Sequence, residues 1–144
     1  MKVLQACVLL TALGLGGCAT TPVTFSASQQ IPVTQVLDAA MQQPSPSRTE
    51  RVLLIRDKGF LGSFVKAAIA VDGKKLAVLA PSQRVAFYLS PGHHMFTVGQ
   101  VKNILHEPKG ETYVDIKAGG PNNFRLRLIP GNGPKIERST QISQ

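Results

Sequence analysis

Hydrophobic and polar residues alternate along much of the chain after residue 50. Thr112, Val114 and Ile116 alternate with Tyr113, Asp115 and Lys117, and the residues from 124 onward repeat the pattern. Such alternation is typical of strands with one solvated face. Short runs of this kind, separated by turn residues, cover 52–55, 64–71, 74–79, 84–89, 93–99, 111–118, 124–129 and 135–139. They predict a mainly β fold, a small antiparallel sandwich or open barrel of seven or eight short strands.

Two turns between these runs have a clear chemical signature. Asp72-Gly73 separates two runs by two residues, and both residue types tolerate the positive φ of a tight hairpin. Pro91-Gly92 marks a second turn, and His94 follows it closely enough for a structural role there.

The first fifty residues have a different composition from the strand-rich region. Residues 1–17 join Lys2 to an apolar, glycine-interrupted run, which is the layout of a secretory leader. Residues 18–50 are rich in Thr, Ser, Gln and Pro and predict a flexible tether. Within the tether, apolar residues at helical spacing over 33–42 predict a short amphipathic helix that packs on the domain, lies on a membrane or docks a partner. The sandwich is then expected at 51–139.

Residues 140–144 are expected to form a C-terminal tail. No run after the leader reaches the length of apolar sequence that a membrane-spanning helix needs.

A cysteine ends the leader in the stretch Leu15-Gly16-Gly17-Cys18. An aliphatic residue three positions before a cysteine, with small residues between them, resembles the lipobox of bacterial lipoproteins. The resemblance implies cleavage between Gly17 and Cys18, a diacylglyceryl group on the thiol and an acylated new amino group. Two or more acyl chains anchor a protein stably to membrane lipid. Because Ala19 and not aspartate follows, the resemblance implies the outer membrane, with the domain on either side of it.

Two other interpretations of this cysteine are open. Ordinary signal cleavage after Ala19 would discard Cys18, since small residues also precede that position at the required spacing. A disulfide with Cys7 would need a residue that lies inside the leader and leaves with it.

The segments Val-Asp-Gly-Lys-Lys-Leu at 71–76 and Ser-Pro-Gly-His-His at 90–94, together with Leu79 and a first run that ends at Arg56, carry a second resemblance. They are similar to the uncharacterised β-sandwich domain of small Gram-negative lipoproteins and to PEGA-type modules of surface proteins. The resemblance covers about 51–128. It implies a sandwich fold and a place in the cell envelope, and no activity.

The chain is basic, with 16 Lys and Arg against 8 Asp and Glu and a net charge of +8. Its cations are dispersed and it has no Trp, so we expect no nucleic-acid partner. Arg125 and Arg127 share one face of a predicted strand, and with Arg84 or Lys117 on a neighbouring strand they would form a cationic strip. Such a strip fits anionic glycan, lipid or a protein edge. The same face could equally keep the strands soluble.

Patterns for metal binding and catalysis are weak. His93 and His94 are neighbours on a strand and point to opposite faces, and His94 could share an ion with His106 and Glu107 only if the fold joined them. The chain lacks Gly-x-Ser-x-Gly, and the thiol of the mature chain would be acylated. We therefore predict no metal, no cofactor and no enzymatic activity.

The predicted function is that of a non-catalytic adaptor or binding module, anchored in the outer membrane and engaged with another envelope protein. One alternative is direct binding of peptidoglycan or lipopolysaccharide through the cationic strip. The other is a metal-dependent enzyme.

Overall fold

The computed structural model describes residues 20–59 and 65–142. The leader with Gly17 and Cys18, and Phe64 at the start of one predicted strand, lie outside these ranges. The described residues form nine strands: β1 (Gln29–Gln30), β2 (Glu50–Arg56), β3 (Ala67–Val71), β4 (Lys74–Leu79), β5 (Gln83–Leu89), β6 (Gly92–Gly99), β7 (Gly110–Ile116), β8 (Asn122–Ile129) and β9 (Gly133–Arg138).

The strands form two sheets that pack face to face. One sheet has the order β1-β5-β2-β8-β9, and the other has the order β4-β3-β6-β7. Of the seven strand pairings in the described ranges, β1–β5 and β2–β8 are parallel and the others are antiparallel. The prediction of a mainly β sandwich is confirmed, with two parallel pairings that residue alternation cannot reveal.

Aromatic rings fill the centre of the space between the sheets. Phe96 lies between Phe87 and Phe124, with ring centroids 6.0 and 6.1 Å away. All three side chains are almost completely buried. Each contributes roughly 1.5–3 kcal/mol by leaving water, so the inward-facing positions of β5, β6 and β8 hold the two layers together.

One charged residue lies among these apolar side chains. Arg56, at the end of β2, is 2% exposed. Its Nη1 donates to the carbonyl oxygens of Val65 and Leu79, each 2.6 Å away. Burial lowers the pKa of Arg56 to about 10, because a charged guanidinium loses hydration in the core. The side chain ties the end of β2 to the residues that precede β3 and end β4.

The predicted Asp72-Gly73 hairpin joins β3 to β4. Asp72 has φ +49° and Gly73 has φ +76°, the left-handed values that a two-residue hairpin turn requires. Pro91 lies between β5 and β6, and Gly92 is the first residue of β6.

The segment predicted as a tether packs against the sandwich, which corrects the expectation of a solvated stalk. Val23, Ile31 and Met41 are each at most 6% exposed. The predicted helix over 33–42 is replaced by two short 3-10 helices, Val33–Gln35 and Ala39–Gln42. Between them the chain is extended, because Leu37 N–H donates to the carbonyl of Leu76 at the edge of β4.

The predicted C-terminal tail also contacts the sandwich. Ile142 is 3% exposed, and its carbonyl accepts a hydrogen bond of 2.7 Å from Asn123 Nδ2. In the described ranges, no helix combines the length and apolar character needed to cross a bilayer.

Candidate functional site

The predicted cationic residues lie on two strands of the five-stranded sheet, with one exception. Arg84 is on β5 and Arg125 is on β8, and both are paired with Ile55 of the intervening β2. Arg127 lies two residues further along β8 on the same face. Lys117 follows β7 in the other sheet and is exposed. The structure therefore brings three of the four residues onto one face and leaves Lys117 apart.

This outer face is covered by residues 20–30, which we call the N-terminal strap. Val23 of the strap is buried in a cluster with Leu53, Ile55 and Ile142, and Phe25 packs beside it. Burying a valine side chain stabilises a protein by about 1.5–3 kcal/mol. The strap therefore forms a second, smaller core on the side of the sheet away from the aromatic rings.

Arg125 and Asp57 form a buried ion pair, and both side chains hydrogen-bond to the backbone of the strap. Its Nη1 donates to Asp57 Oδ1 at 2.6 Å and to the Val23 carbonyl at 3.1 Å, and its Nε donates to Ser139 Oγ at 3.0 Å. Asp57 Oδ1 also accepts a 3.0 Å hydrogen bond from Val23 N–H. The side chains of Arg125 and Asp57 are 10% and 1% exposed, so Val23 is held at both of its backbone polar groups within a buried charge pair.

Arg127 binds the first described residue of the strap. Its Nε donates to Thr20 Oγ1 at 3.0 Å, and its Nη1 donates to Glu137 Oε2 at 3.0 Å. Hydrogen bonds from Lys135 and Arg127 lower the pKa of Glu137. This group is about one third exposed, so the ion pair contributes less to stability than the buried one beside it.

Arg84 binds the other end of the strap. Its guanidinium lies over the Phe25 ring, 4.3 Å from the centroid, and donates to the Phe25 carbonyl at 3.2 Å. The same Nη1 donates to the carbonyl and the hydroxyl of Ser28. One residue on, Gln29 begins the parallel pairing of β1 with β5.

The three arginines therefore act as an internal clamp on the strap. Each donates hydrogen bonds to backbone or side-chain groups of residues 20–28, and Arg125 and Arg127 are also ion-paired. Their positions on one face agree with the predicted strip, and each guanidinium also donates hydrogen bonds to the strap. The predicted strip of Arg84, Lys117, Arg125 and Arg127 is not assembled as a set of four, because Lys117 follows β7 in the other sheet.

The residues of the two turns meet in a separate cluster at the opposite end of the sandwich. His94 Nδ1 lies 2.6 Å from Asp72 Oδ2, and Asp72 Oδ1 accepts a 2.9 Å hydrogen bond from Met95 N–H. His94 Nε2 lies 2.9 Å from the Ser90 carbonyl oxygen and 3.2 Å from Ser90 Oγ. This cluster joins the β3–β4 turn to the β5–β6 turn.

The order Ser90, His94 and Asp72 resembles a hydrolase triad, but the hydrogen bonds differ in one respect. A general base must present the lone pair of Nε2 to the serine hydroxyl. Here the Ser90 carbonyl, which can only accept, is the nearer neighbour of Nε2. The shortest contacts of the ring therefore join it to Asp72 on one turn and to the Ser90 backbone on the other, so the arrangement suits a structural link between the turns.

The other histidines do not join this cluster. His93 Nδ1 lies 3.6 Å from Asp115 Oδ1 at an exposed site, and His106 lies in the connection between β6 and β7. Over residues 20–59 and 65–142, no three His, Cys, Asp or Glu side chains are grouped so that they could hold a metal ion.

Several residues of the clamp were not singled out in the sequence. From the sequence, Asp57 is predicted to lie in a turn after a strand, and Phe25 and Ser28 are predicted to lie in a polar tether. The alternation of Arg125 and Arg127 on one strand indicated that such partners exist, because arginines on a covered face need counter-ions or hydrogen-bond acceptors.

Comparison with protein-family models, curated proteins and solved structures gives no match for this chain. The fold itself defines a small β-sandwich whose N-terminal strap is built into the domain. The resemblance to the sandwich domain of small lipoproteins stays a prediction.

Proposed function

We propose that the protein is an outer-membrane lipoprotein, anchored through acylated Cys18, whose sandwich is a non-catalytic adaptor or binding module of the cell envelope. The leader and the Leu15-Gly16-Gly17-Cys18 stretch support the anchor. The structural observation that carries the proposal concerns Thr20, which lies two residues after Cys18 in the sequence. Its hydroxyl accepts a hydrogen bond from Arg127, so the chain is held against the sandwich close to the cysteine. An acyl group on Cys18 would hold the sandwich close to the membrane.

Intact-mass analysis of the protein recovered from bacterial membranes tests this anchor. We expect a mature chain that begins at Cys18 and carries acyl groups, and we expect Cys18→Ser to prevent both the modification and the membrane recovery. Cys7→Ser is the matched control, because a cysteine inside the leader should leave the mature mass unchanged. A mature chain that begins at Thr20, or an unmodified cysteine, would contradict the proposal.

The adaptor role requires a protein partner in the envelope. Photo-crosslinking in intact cells from exposed positions of the sandwich, followed by identification of the captured proteins, tests it. Tyr113 is a suitable position because its side chain is largely exposed on β7, an edge strand. Reproducible capture of one envelope protein supports the adaptor; binding to purified cell-wall material with no protein captured favours direct glycan binding instead.

A further inference from the structure

One end of the sandwich combines lysines with exposed apolar groups. We call it the anchor end and define it by Lys58 after β2, Val65 and Lys66 before β3, Lys109 before β7 and Pro130 after β8. Val65 is 52% exposed. The opposite end carries the two turns described above.

An apolar cavity of about 270 Å³ opens between the two sheets at this end. Its walls are formed by apolar residues from both sheets: Val65, Ala67, Val98, Leu128, Ile129, Pro130 and Pro134. Among the described residues that line it, the charged ones are Lys66 and Lys109, and none carries a carboxylate. An apolar interior with two lysines among its lining residues suits a ligand that has a hydrocarbon part and an anionic part.

The first described residues of the N-terminal strap lie beside Lys58. Thr21 and Lys58 exchange two backbone hydrogen bonds of 2.7 and 3.1 Å, and Thr20 is bound to Arg127. Lys58 lies two residues after the end of β2, and the last residue of β2, Arg56, donates a hydrogen bond to the carbonyl of Val65, which lines the cavity next to Lys66. The first described residues of the strap, Thr20 and Thr21, therefore lie toward the anchor end.

We propose that the anchor end rests on the bilayer, with Lys58, Lys66 and Lys109 against anionic lipid phosphates and an acyl chain of a bilayer lipid in the apolar cavity. This inference rests on the proposed lipid anchor. It adds an orientation of the sandwich relative to the membrane. A basic surface near the lipid attachment point binds anionic headgroups and so strengthens the membrane binding of a lipid-anchored protein. Two carboxylates flank Lys109 at a distance of two residues: Glu107, which accepts a hydrogen bond from Asn103, and Glu111, which is exposed on β7.

Tryptophan fluorescence can locate this surface, because the chain contains no Trp. The lipidated full chain, with Asn132→Trp in the β8–β9 turn or Val65→Trp, is reconstituted into vesicles of phosphatidylglycerol and phosphatidylethanolamine with brominated acyl chains. We expect loss of most of the emission relative to unbrominated vesicles. Lys74→Trp at the start of β4 and Tyr113→Trp are the controls, and these should keep their emission.

A charge exchange separates electrostatic docking from simple proximity. Lys66→Glu with Lys109→Glu should remove most of the quenching of Asn132→Trp, whereas Lys74→Glu with Lys75→Glu at the opposite end should leave it unchanged. Protein that floats with the vesicles but is quenched equally at both ends would overturn the docking and leave the anchor intact. Protein that does not float would overturn the anchor, and the docking with it.

Discussion

Two ion pairs on one face of the five-stranded sheet differ mainly in their burial. Asp57 and Arg125 have almost no exposed side-chain surface, whereas Arg127 and Glu137 are each about one third exposed. Removing one partner of a buried pair leaves an uncompensated charge in a medium of low polarity, but an exposed partner is stabilised by water. The same chemical change should therefore have different costs at the two sites.

Asp57→Asn should lower the free energy of unfolding by about 3 kcal/mol, because it keeps the shape of the side chain and removes the counter-ion of Arg125. Glu137→Gln is the matched control and should cost less than about 1 kcal/mol. Urea denaturation of both variants measures the difference. Equal effects at the two sites would show that the buried pair contributes no more than the exposed one.

Acidification should weaken the contribution of Glu137. Hydrogen bonds from Lys135 and Arg127 hold the pKa of this carboxyl below its ordinary value in the folded protein. Its stabilising contribution is therefore present above the ordinary carboxyl pKa and is lost as the pH falls through the lowered folded value. Stability curves against pH should show wild type losing stability relative to Glu137→Gln in this acidic range, and parallel curves would contradict the shift.

The β3–β4 hairpin depends on backbone conformation at its two turn residues. Gly73→Ala should cost roughly 1–2 kcal/mol, because a Cβ disfavours the left-handed conformation at φ +76°. The Cβ would meet nothing within 4 Å, so strain and not collision causes the loss. Lys74→Ala at the next, exposed position should change stability by less than about 0.5 kcal/mol. Thermal or urea unfolding of the two variants provides the comparison.

The strap should open separately from the sheet below it. Arg84→Ala removes the contacts to Phe25 and Ser28, so the amide hydrogens of Gln29 and Ile31, which donate to Ser82 and Arg84 carbonyls, should exchange faster. Amides of the buried strand β2 should keep their protection. Arg51→Ala, a change at an exposed position on β2, is the control. Hydrogen exchange followed by mass spectrometry measures the protection of residues 29–31 and of β2 in each variant.

Residue alternation was sufficient to predict most of the strands but not what covers them. The runs from 84 to 89 and from 124 to 129 agree closely with β5 and β8, since each strand alternates between a buried and a covered or solvated face. The strap gave no such signal, because Val23 and Ile31 are isolated apolar residues among polar ones. Their burial depends on contacts with residues that are distant in sequence, which local patterns do not encode.

In the candidate site, too, local sequence patterns predicted one part and contacts between distant residues determined the rest. The shared face of Arg125 and Arg127 followed from their spacing on one strand. Their partners could not be predicted, because Asp57 and Thr20 reach them through a parallel strand pairing and through the strap, each of which joins distant parts of the chain. Spacing therefore identified the face, and only the fold identified its use as a clamp.

At the scale of the whole molecule, the proposed anchor would be separated by Ala19 alone from Thr20, which Arg127 binds to the sandwich. Insertion of about ten Gly and Ser residues between Ala19 and Thr20 would add a flexible chain without altering the strap contacts. We expect unchanged stability in urea and weaker bromolipid quenching of Asn132→Trp. Unchanged quenching would mean that the anchor end binds lipid without help from a short attachment, and lost stability would mean that the insertion disturbs the strap.

The N-terminal segment also covers strand edges. Gln29 and Gln30 pair with the outer side of β5, and the Leu76 carbonyl on β4 accepts hydrogen bonds from Leu37 and Asp38 N–H. Uncovered edges of this kind readily pair with strands of another molecule. A fragment that begins at residue 50 should therefore self-associate, so that proteolytic trimming of a stretch resembling a dispensable linker would promote aggregation of the domain.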